Sequence, residues 1–386
     1  MSVQIMILML RDYFVQDPLL FVALALLAFA TIVQVIYYWA IYGKIAFFKP
    51  KNEFVRSDQP VSVIVCARDE YYNLKENLPL LLNQDYSVYE VVVVDHGSED
   101  DTKYLLRDLS DEYPHLKIVS LPQDLNFFTG KKFPLSIGIK SAKYDVLLFT
   151  DADCIPGSNQ WVRRMAANFT EGTEIVLGYG AYQKKKSLLN LLIRFDTVRI
   201  AMNYLGFARS GMPYMGVGRN MAYRKSLFYR QNGFISHYRI QSGDDDLFIN
   251  KAATSKNTRI AIQSDAHTVS VPKSSINLWI RQKRRHLMTG GFYKQSHKLA
   301  LGLFAFTQVA FWSCTILLLA FWYQPYIVIG LAVIRFFTQL LITGKVMRKL
   351  SEKGFLLLVP FFELFLMLVS PLLALANVFN KPIKWR

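Results

Sequence analysis

Cysteine is scarce in this chain. Cys66, Cys154 and Cys314 are the three in 386 residues, far apart and odd in number. That excludes a disulfide framework, and their spacing matches no cysteine metal site. No segment repeats, no stretch is of low complexity, and no zinc-finger or RNA-binding signature is present, which argues against nucleic acid as a partner. Acid is the minority charge: 29 Asp+Glu against 45 Lys+Arg leaves +16. Without a nucleic-acid motif, that excess points to an anionic membrane surface or an anionic substrate. Apolar residues are what the chain has in plenty. They make up 52% of it, too many for an ordinary soluble protein, so a globular part plus membrane segments is expected.

Residues 19–42 form an almost unbroken apolar run, long enough to cross a bilayer as a helix. The run is too long, and too little basic before it, for a cleaved signal peptide. Only Arg11 precedes it, whereas Lys44, Lys49, Lys51 and Arg56 come after it. The positive-inside bias therefore predicts a short extracytoplasmic segment, 1–18, and a cytoplasmic side for the chain beyond residue 42. Further apolar segments lie within 299–379, at 299–323, 326–343 and 355–379. Lys345, Arg348, Lys349 and Lys353 make a basic loop before the last of them. That last stretch is interrupted by Pro360, Glu363 and Pro371, which favours a re-entrant hairpin keeping Lys381, Lys384 and Arg386 inside.

Residues 61–271 read as an α/β domain. VSVIVCA (61–67), YEVVVVD (89–95), LKIVSLP (116–122) and YDVLLFTD (144–151) are short, β-branched apolar runs. EYYNLKENLPLLLNQ and FPLSIGIKSAK, between them, have helical spacing. Alternating strands and helices predict right-handed crossovers and a mainly parallel sheet. Residues 187–207 and 274–297 are amphipathic. The second mixes Leu278, Trp279, Leu287 and Phe292 with Arg281, Lys283, Arg284, Arg285 and Lys294, as a helix lying at a membrane surface does.

The chemistry gathers at strand ends. LLFTDADCIP (147–156) closes a buried strand with Asp151 and Asp153, which point the same way on extended chain and suit a hard cation such as Mg²⁺ or Mn²⁺. VVVVDHGSEDDT (91–102) ends another strand on Asp95, an acceptor for a base N–H or a ribose hydroxyl, beside a glycine that permits close approach. ARDE (67–70) offers Arg68 and Glu70, and TGKKFPL (129–135) places Lys131 and Lys132 before a helix, where phosphate binds. SGDDDLF (242–248) crowds three acids, which raise one another's pKa and help to make a general base. RQKRRHL (281–287) carries guanidinium groups able to hold a diphosphate or a lipid headgroup. YMGVGRN (214–220) has the glycines expected where backbone passes close to a ligand.

In this order the motifs resemble those of the membrane-bound inverting glycosyltransferases of family 2, over about 61–287. VVVVDHGSEDDT is similar to that family's Asp-Asp-Gly-Ser-type loop, TDAD to its metal-binding Asp-x-Asp, GDDD to its base motif and QKRRH to its Gln-x-x-Arg-Trp motif. His96 stands where an acid is usual and His286 where tryptophan is usual. The resemblance implies a GT-A fold flanked by one N-terminal and two to four C-terminal transmembrane helices. It implies a nucleotide-sugar donor, a UDP-sugar, held by Ala67, Glu70, Asp95, Lys132 and Asp151. Asp151 and Asp153 would carry Mg²⁺ or Mn²⁺, and Gln282, Arg284 and Arg285 would meet the diphosphate or the acceptor. Asp245, with Asp244 as the alternative, would be the general base. The acceptor expected is a lipid or lipid-linked saccharide at the cytoplasmic face of the cell membrane. A processive polysaccharide synthase and an inactive membrane scaffold are the competing readings. A nucleotidyltransferase is disfavoured because CARDEYYN has no glycine after the first strand.

Overall fold

The computed structural model describes residues 17–49, 59–122, 130–240 and 242–379. Arg11, Lys51, Arg56, Thr129, Lys381, Lys384 and Arg386, with nearly all of the expected extracytoplasmic segment, lie outside the described residues. Helix α1 (Pro18–Ile36) starts where sequence rules would start it. Pro18 takes the first turn, and Asp17 Oδ1 accepts from the Leu20 N–H at 3.2 Å. The helix continues through a π-helical stretch, Tyr37–Tyr42, and a last turn, Gly43–Ala46.

The catalytic-size domain then runs β1 (Val61–Ala67), α2 (Tyr71–Leu82), β2 (Tyr89–His96), α3 (Thr102–Glu112), β3 (Leu116–Leu121), α4 (Lys132–Ser141), β4 (Val146–Asp151) and β5 (Cys154–Pro156). It continues with α5 (Trp161–Ala166), β6 (Ile175–Gly178), β7 (Gly180–Tyr182), α6 (Leu188–Arg209), β8 (Met221–Arg224), α7 (Lys225–Arg230), α8 (Asp246–Ala252), β9 (Thr258–Ala261) and β10 (Thr268–Ser270). The seven-stranded sheet has the order β3-β2-β1-β4-β8-β6-β9, and β5-β10-β7 form a small second sheet. Every pairing in the large sheet is parallel except those of β8. Val61, Val63 and Val65 face one core and Ile64 and Cys66 the other, so the period of two fills both faces. Burying each such aliphatic side chain contributes roughly 1.5–3 kcal/mol.

After the domain come α9 (Ile276–Leu287), α10 (Gln295–Ala320), α11 (Pro325–Lys349) and α12 (Val359–Phe379). Among the described residues, four helical stretches, Pro18–Ala46, Gln295–Ala320, Pro325–Lys349 and Leu356–Phe379, are long and apolar enough to cross a membrane. Two expectations are corrected here. Residues 274–297 are not one interfacial helix: α9 stops at Leu287, a 3₁₀ turn Gly290–Phe292 comes next, and Trp279 and Lys283 are buried. The amphipathic stretch 187–207 falls in α6, which buries residues on both sides, Tyr204 towards the sheet and Phe195 against Phe362 of α12. The last apolar stretch does not fold back on itself. Pro371 sits inside one continuous helix, α12, whose start lies by α6 and whose end reaches α9.

The core on one face of the sheet is continuous with the membrane-side helices: Ile64, Val94, Tyr42, Ile342 and Phe362 belong to one apolar cluster. Polar ties fix the helices to one another. Gln34 Nε2 donates to Phe304 O at 3.0 Å and Thr307 Oγ1 at 2.9 Å, and Arg335 donates to both Glu363 oxygens at 2.7 and 2.6 Å and to Gln339 Oε1 at 2.8 Å. Arg335 is fully buried, so removing Glu363 leaves its charge with no counter-ion and only the amide oxygens of Gln339 and Gln34 as acceptors. Glu363→Leu is expected to cost about 3–5 kcal/mol, seen as a lowered Tm in detergent, and adding Arg335→Leu should recover most of it. A double variant no more stable than the single one would show that the pair is not what holds these helices.

Candidate active site

Strand register brings the motifs together. Cys66 pairs with Asp151 and Ala67 with Asp95, so β1, β2 and β4 end level at the carboxyl edge of the sheet, where open α/β folds bind ligands. A cavity of about 500 Å³ opens there. Its rim holds Glu70, Lys131, Asp151 and Asp153. Its walls hold Arg219, the run 244–246 and Gln282 and Arg285 of α9, and one side of α6 forms its floor.

Asp151 and Asp153 lie together with Cys154, one ligand atom from each within 4.8 Å of the others. The Cys154 thiol is buried and lies 2.9 Å from Ser270 Oγ, so the two carboxylates are the groups facing the cavity. Burial pushes the Asp151 carboxyl up, but the Lys131 ammonium bonded to it more than offsets this and holds it below the usual carboxylate range. Asp153 is raised, by burial first and then by the charge of Asp151. Two oxygen donors crowded in this way fit a hard divalent cation, which relieves their repulsion.

The acid run divides by environment. Asp245 caps α8: its Oδ1 accepts from the Asp246 N–H at 2.7 Å and its Oδ2 from the Gly218 N–H at 2.8 Å. Removal from bulk water, then the neighbouring charges of Asp244 and Asp246, push its carboxyl up to about 8. A Cβ on residue 218 would stand 3.3 Å from Asp245 Oδ2, which is the close backbone approach that glycine permits. Asp246 is buried and accepts from Leu247 N–H, Tyr293 O–H at 2.7 Å and Thr289 O–H. Asp244 lines the cavity and its carboxylate takes no hydrogen bond among the described residues.

The remaining expected residues divide between the cavity and the interior. Glu70 lines the cavity and accepts from Asn73 Nδ2 at 2.5 Å. Gln282 does too, donating to Tyr182 Oη at 3.1 Å, as does Arg285, whose charge reaches Asp151. Ala67 is buried behind Cys66 and does not line the cavity. Asp95 is buried and accepts from the Ser98 N–H at 3.1 Å, shaping its own turn. Two assignments are corrected. Lys132 faces away from the cavity: its ammonium donates to His237 O at 2.8 Å, Ile240 O at 2.5 Å and Ser242 O at 2.7 Å, and Lys131 takes the place given to it. Arg284 also leaves the cavity, donating to Asn377 Oδ1 at 2.8 Å and Ala376 O at 3.2 Å on α12. Sequence reading placed 179–186 and 212–219 around an acceptor pocket, and Arg219 lines the cavity with its guanidinium stacked 4.2 Å over the Tyr182 ring; it assigned no role to Asp196 and Arg199 of α6.

The profile of glycosyl transferase family 2 matches residues 62–230, and that of glycosyl transferase family group 2 matches residues 149–343. The glycosyltransferase AglE of Haloferax volcanii is 29% identical over 194 residues, 48% of this chain and 58% of that protein. A poly-beta-1,6-N-acetyl-D-glucosamine synthase of Staphylococcus epidermidis is 29% identical over 128 residues, 31% of this chain and 30% of that one. The chain therefore spans less than two thirds of either relative. Among solved structures, the mannosyltransferase PcManGT of Pyrobaculum calidifontis, in complex with GDP-Man and Mn²⁺, has a TM-score of 0.57. It is 19% identical, with 85% of this chain and 97% of that chain covered, a likeness of fold.

Lys132→Met would strip three backbone carbonyls just before Asp244 of their shared donor. The expected loss is about 1–3 kcal/mol or more, read as a lower Tm. An unchanged Tm would mean that water replaces the ammonium there.

Proposed function

This chain belongs to glycosyl transferase family 2, and we propose that it transfers a sugar from a nucleotide-sugar, with inversion, to a lipid or lipid-linked saccharide at a membrane surface. One observation carries the reading. The paired carboxylates Asp151 and Asp153, spaced to hold a cation, and Asp244, a carboxylate with no hydrogen-bond partner among the described residues, face one cavity that also holds Lys131 and Arg285.

The nucleotide diphosphate fits the edge where Glu70, Asp151 and Asp153 meet. Mg²⁺ or Mn²⁺ held by Asp151 and Asp153 would supply a Lewis acid for the leaving diphosphate. Lys131 and Arg285, aided by the Gln282 amide, neutralise charge that grows on the diphosphate as the glycosidic C–O bond breaks. Asp244 accepts the proton of the acceptor hydroxyl, whose oxygen attacks the anomeric carbon from the face opposite the leaving group. A single displacement inverts that carbon. We assign the base to Asp244 and a positioning role to Asp245, because both Asp245 oxygens already accept backbone N–H bonds. The donor is a UDP-sugar on the family resemblance. The mannosyltransferase with the same fold was solved with GDP-Man, so both nucleotides belong in the test.

A membrane acceptor is supported by the shared core of sheet and apolar helices. A cytoplasmic site is supported by the basic flanks. Lys345 lies 4.9 Å over the ring of Phe47, and Glu352, beside Lys353, bonds Tyr179 of the domain at 3.3 Å, so these flanks and the domain share a side.

Binding of UDP- and GDP-sugars to the detergent-purified chain should require Mn²⁺ and vanish with chelator. Binding unaffected by chelator would withdraw the metal. Asp244→Asn should lower transfer about 10²–10⁴-fold with donor affinity kept, and Asp245→Asn should lower it less. The reverse ranking would return the base role to Asp245. A ladder of long products on a gel would favour the processive alternative.

A further inference from the structure

The floor of the cavity carries positive charge that the donor chemistry leaves unused. Helix α6 turns Ile193, Asp196, Thr197, Ile200 and Asn203 towards the cavity, at helical spacing, with Arg199 beside them. Asp196 is buried and shared between two cations: Arg199 Nη2 at 3.0 Å from its Oδ1 and Lys283 Nζ at 2.6 Å from its Oδ2. One carboxylate against two cations leaves a net single positive charge. The Arg199 side chain stays 33% exposed, although its Nε is occluded. The cations that act on the metal-side carboxylate Asp151 are Lys131, Arg219 and Arg285, and neither Arg199 nor Lys283 is among the principal ones. The cavity thus has two cationic ends, one beside the carboxylates and one on α6.

The second end lies against the membrane-side helices. Arg199 also lines a small void of about 20 Å³ beside α6, with Phe304, Gln308 and Gln339 of α10 and α11 and with Glu363 of α12, whose charge is already paired with Arg335. A neutral lipid hydroxyl does not use an excess cation there. An oxyanion does. A guanidinium with part of its side chain exposed, next to an ammonium, is an arrangement that takes a phosphate oxygen.

We propose that Arg199 and Lys283 form the acceptor subsite and hold the phosphate of a lipid-linked substrate, which makes the acceptor a phosphate-bearing lipid and not a neutral one. The inference rests on the transferase reading above. In the transfer, the acceptor hydroxyl oxygen bonds to the anomeric carbon, the carbon–oxygen bond to the nucleotide diphosphate breaks, and Asp244 takes the proton. The phosphate on Arg199 is unchanged and serves to place the acceptor.

The test uses the full chain in detergent, its donor end saturated with Mn²⁺ and whichever of UDP and GDP it binds. Geranyl phosphate, geraniol and inorganic phosphate are the three probes, and titration calorimetry is the readout. Geranyl phosphate should bind at least tenfold more tightly than either of the others. Equal binding of geraniol would overturn the proposal. Equal binding of inorganic phosphate would overturn its lipid part and leave a plain oxyanion site. These wild-type arms do not depend on any variant folding. Arg199→Gln should then weaken geranyl phosphate tenfold or more, with Arg199→Lys recovering part of it and nucleotide binding within twofold throughout. Undiminished affinity in Arg199→Gln would also overturn it. A wild-type chain that binds no nucleotide would sink the transferase reading itself, whereas intact nucleotide binding without phosphate discrimination would sink only the subsite.

Discussion

Crowded carboxylates at one sheet edge are the constraint on which the rest of the structure depends. Glu70, Asp151, Asp153 and the run 244–246 all reach one cavity, and like charges that close raise one another's energy. Each acid is answered by a particular partner. Lys131 answers Asp151, the Gly218 and Asp246 N–H groups answer Asp245, and the hydroxyls of Thr289 and Tyr293 answer Asp246. Thr289 and Tyr293 lie in the short link between α9 and the first membrane-candidate helix after the domain. The acid cluster therefore fixes where that helix leaves the domain. Lys132 is spent on the backbone before Asp244 for the same reason: the loop that presents the acids must not move.

The seating on the membrane side obeys a second, apolar constraint. A parallel sheet must cover both faces. One face is covered by α2, α3 and α5, and the other by α4 together with α6 and the helices beyond it, so membrane-side packing and domain packing are one core. Helix α12 is tied at both ends to this unit, through Phe362 on Phe195 and through Asn377 on Arg284. With Arg335 locked to Glu363, the helices are held in register with the cavity floor.

What was legible in the sequence was set by short-range rules. β-branched runs ending in acids announced β1, β2 and β4, and their period of two fixed which residues faced each core. The carboxyl edge then emerged from alternation alone. What was not legible depended on one-residue choices and on distant partners. Lys131 and Lys132 are chemically equal in the sequence. Because α4 begins at Lys132, one ammonium turns to the cavity and its neighbour to the 237–242 loop. Arg284 and Arg285 divide in the same way, one claimed by α12 and one by the cavity. Among three consecutive acids, only the backbone amides of Gly218 and of the α8 turn distinguish Asp245 from Asp244. Residues 187–207, now α6, read as amphipathic in the sequence. That pattern carried no sign that the polar face looks into a cavity and not into water.

Helix α6 also ties the cavity to the apolar helices. It lines the cavity and, through Tyr42, Phe355 and Phe362, packs with those helices. Its polar side bears Asp196 and Arg199 within one helical turn, so charges on it keep a fixed height relative to both the sheet edge and the apolar helices. A group bound to that side stands at a set distance from the carboxylates without any loop having to close over it. Lys283 of α9 reaches the buried Asp196 at 2.6 Å and so ties α9 to α6. Two ion pairs to one buried carboxylate thus hold the polar side of a helix that packs against the sheet. A group held on that side is then positioned by the folded core and not by a closing loop.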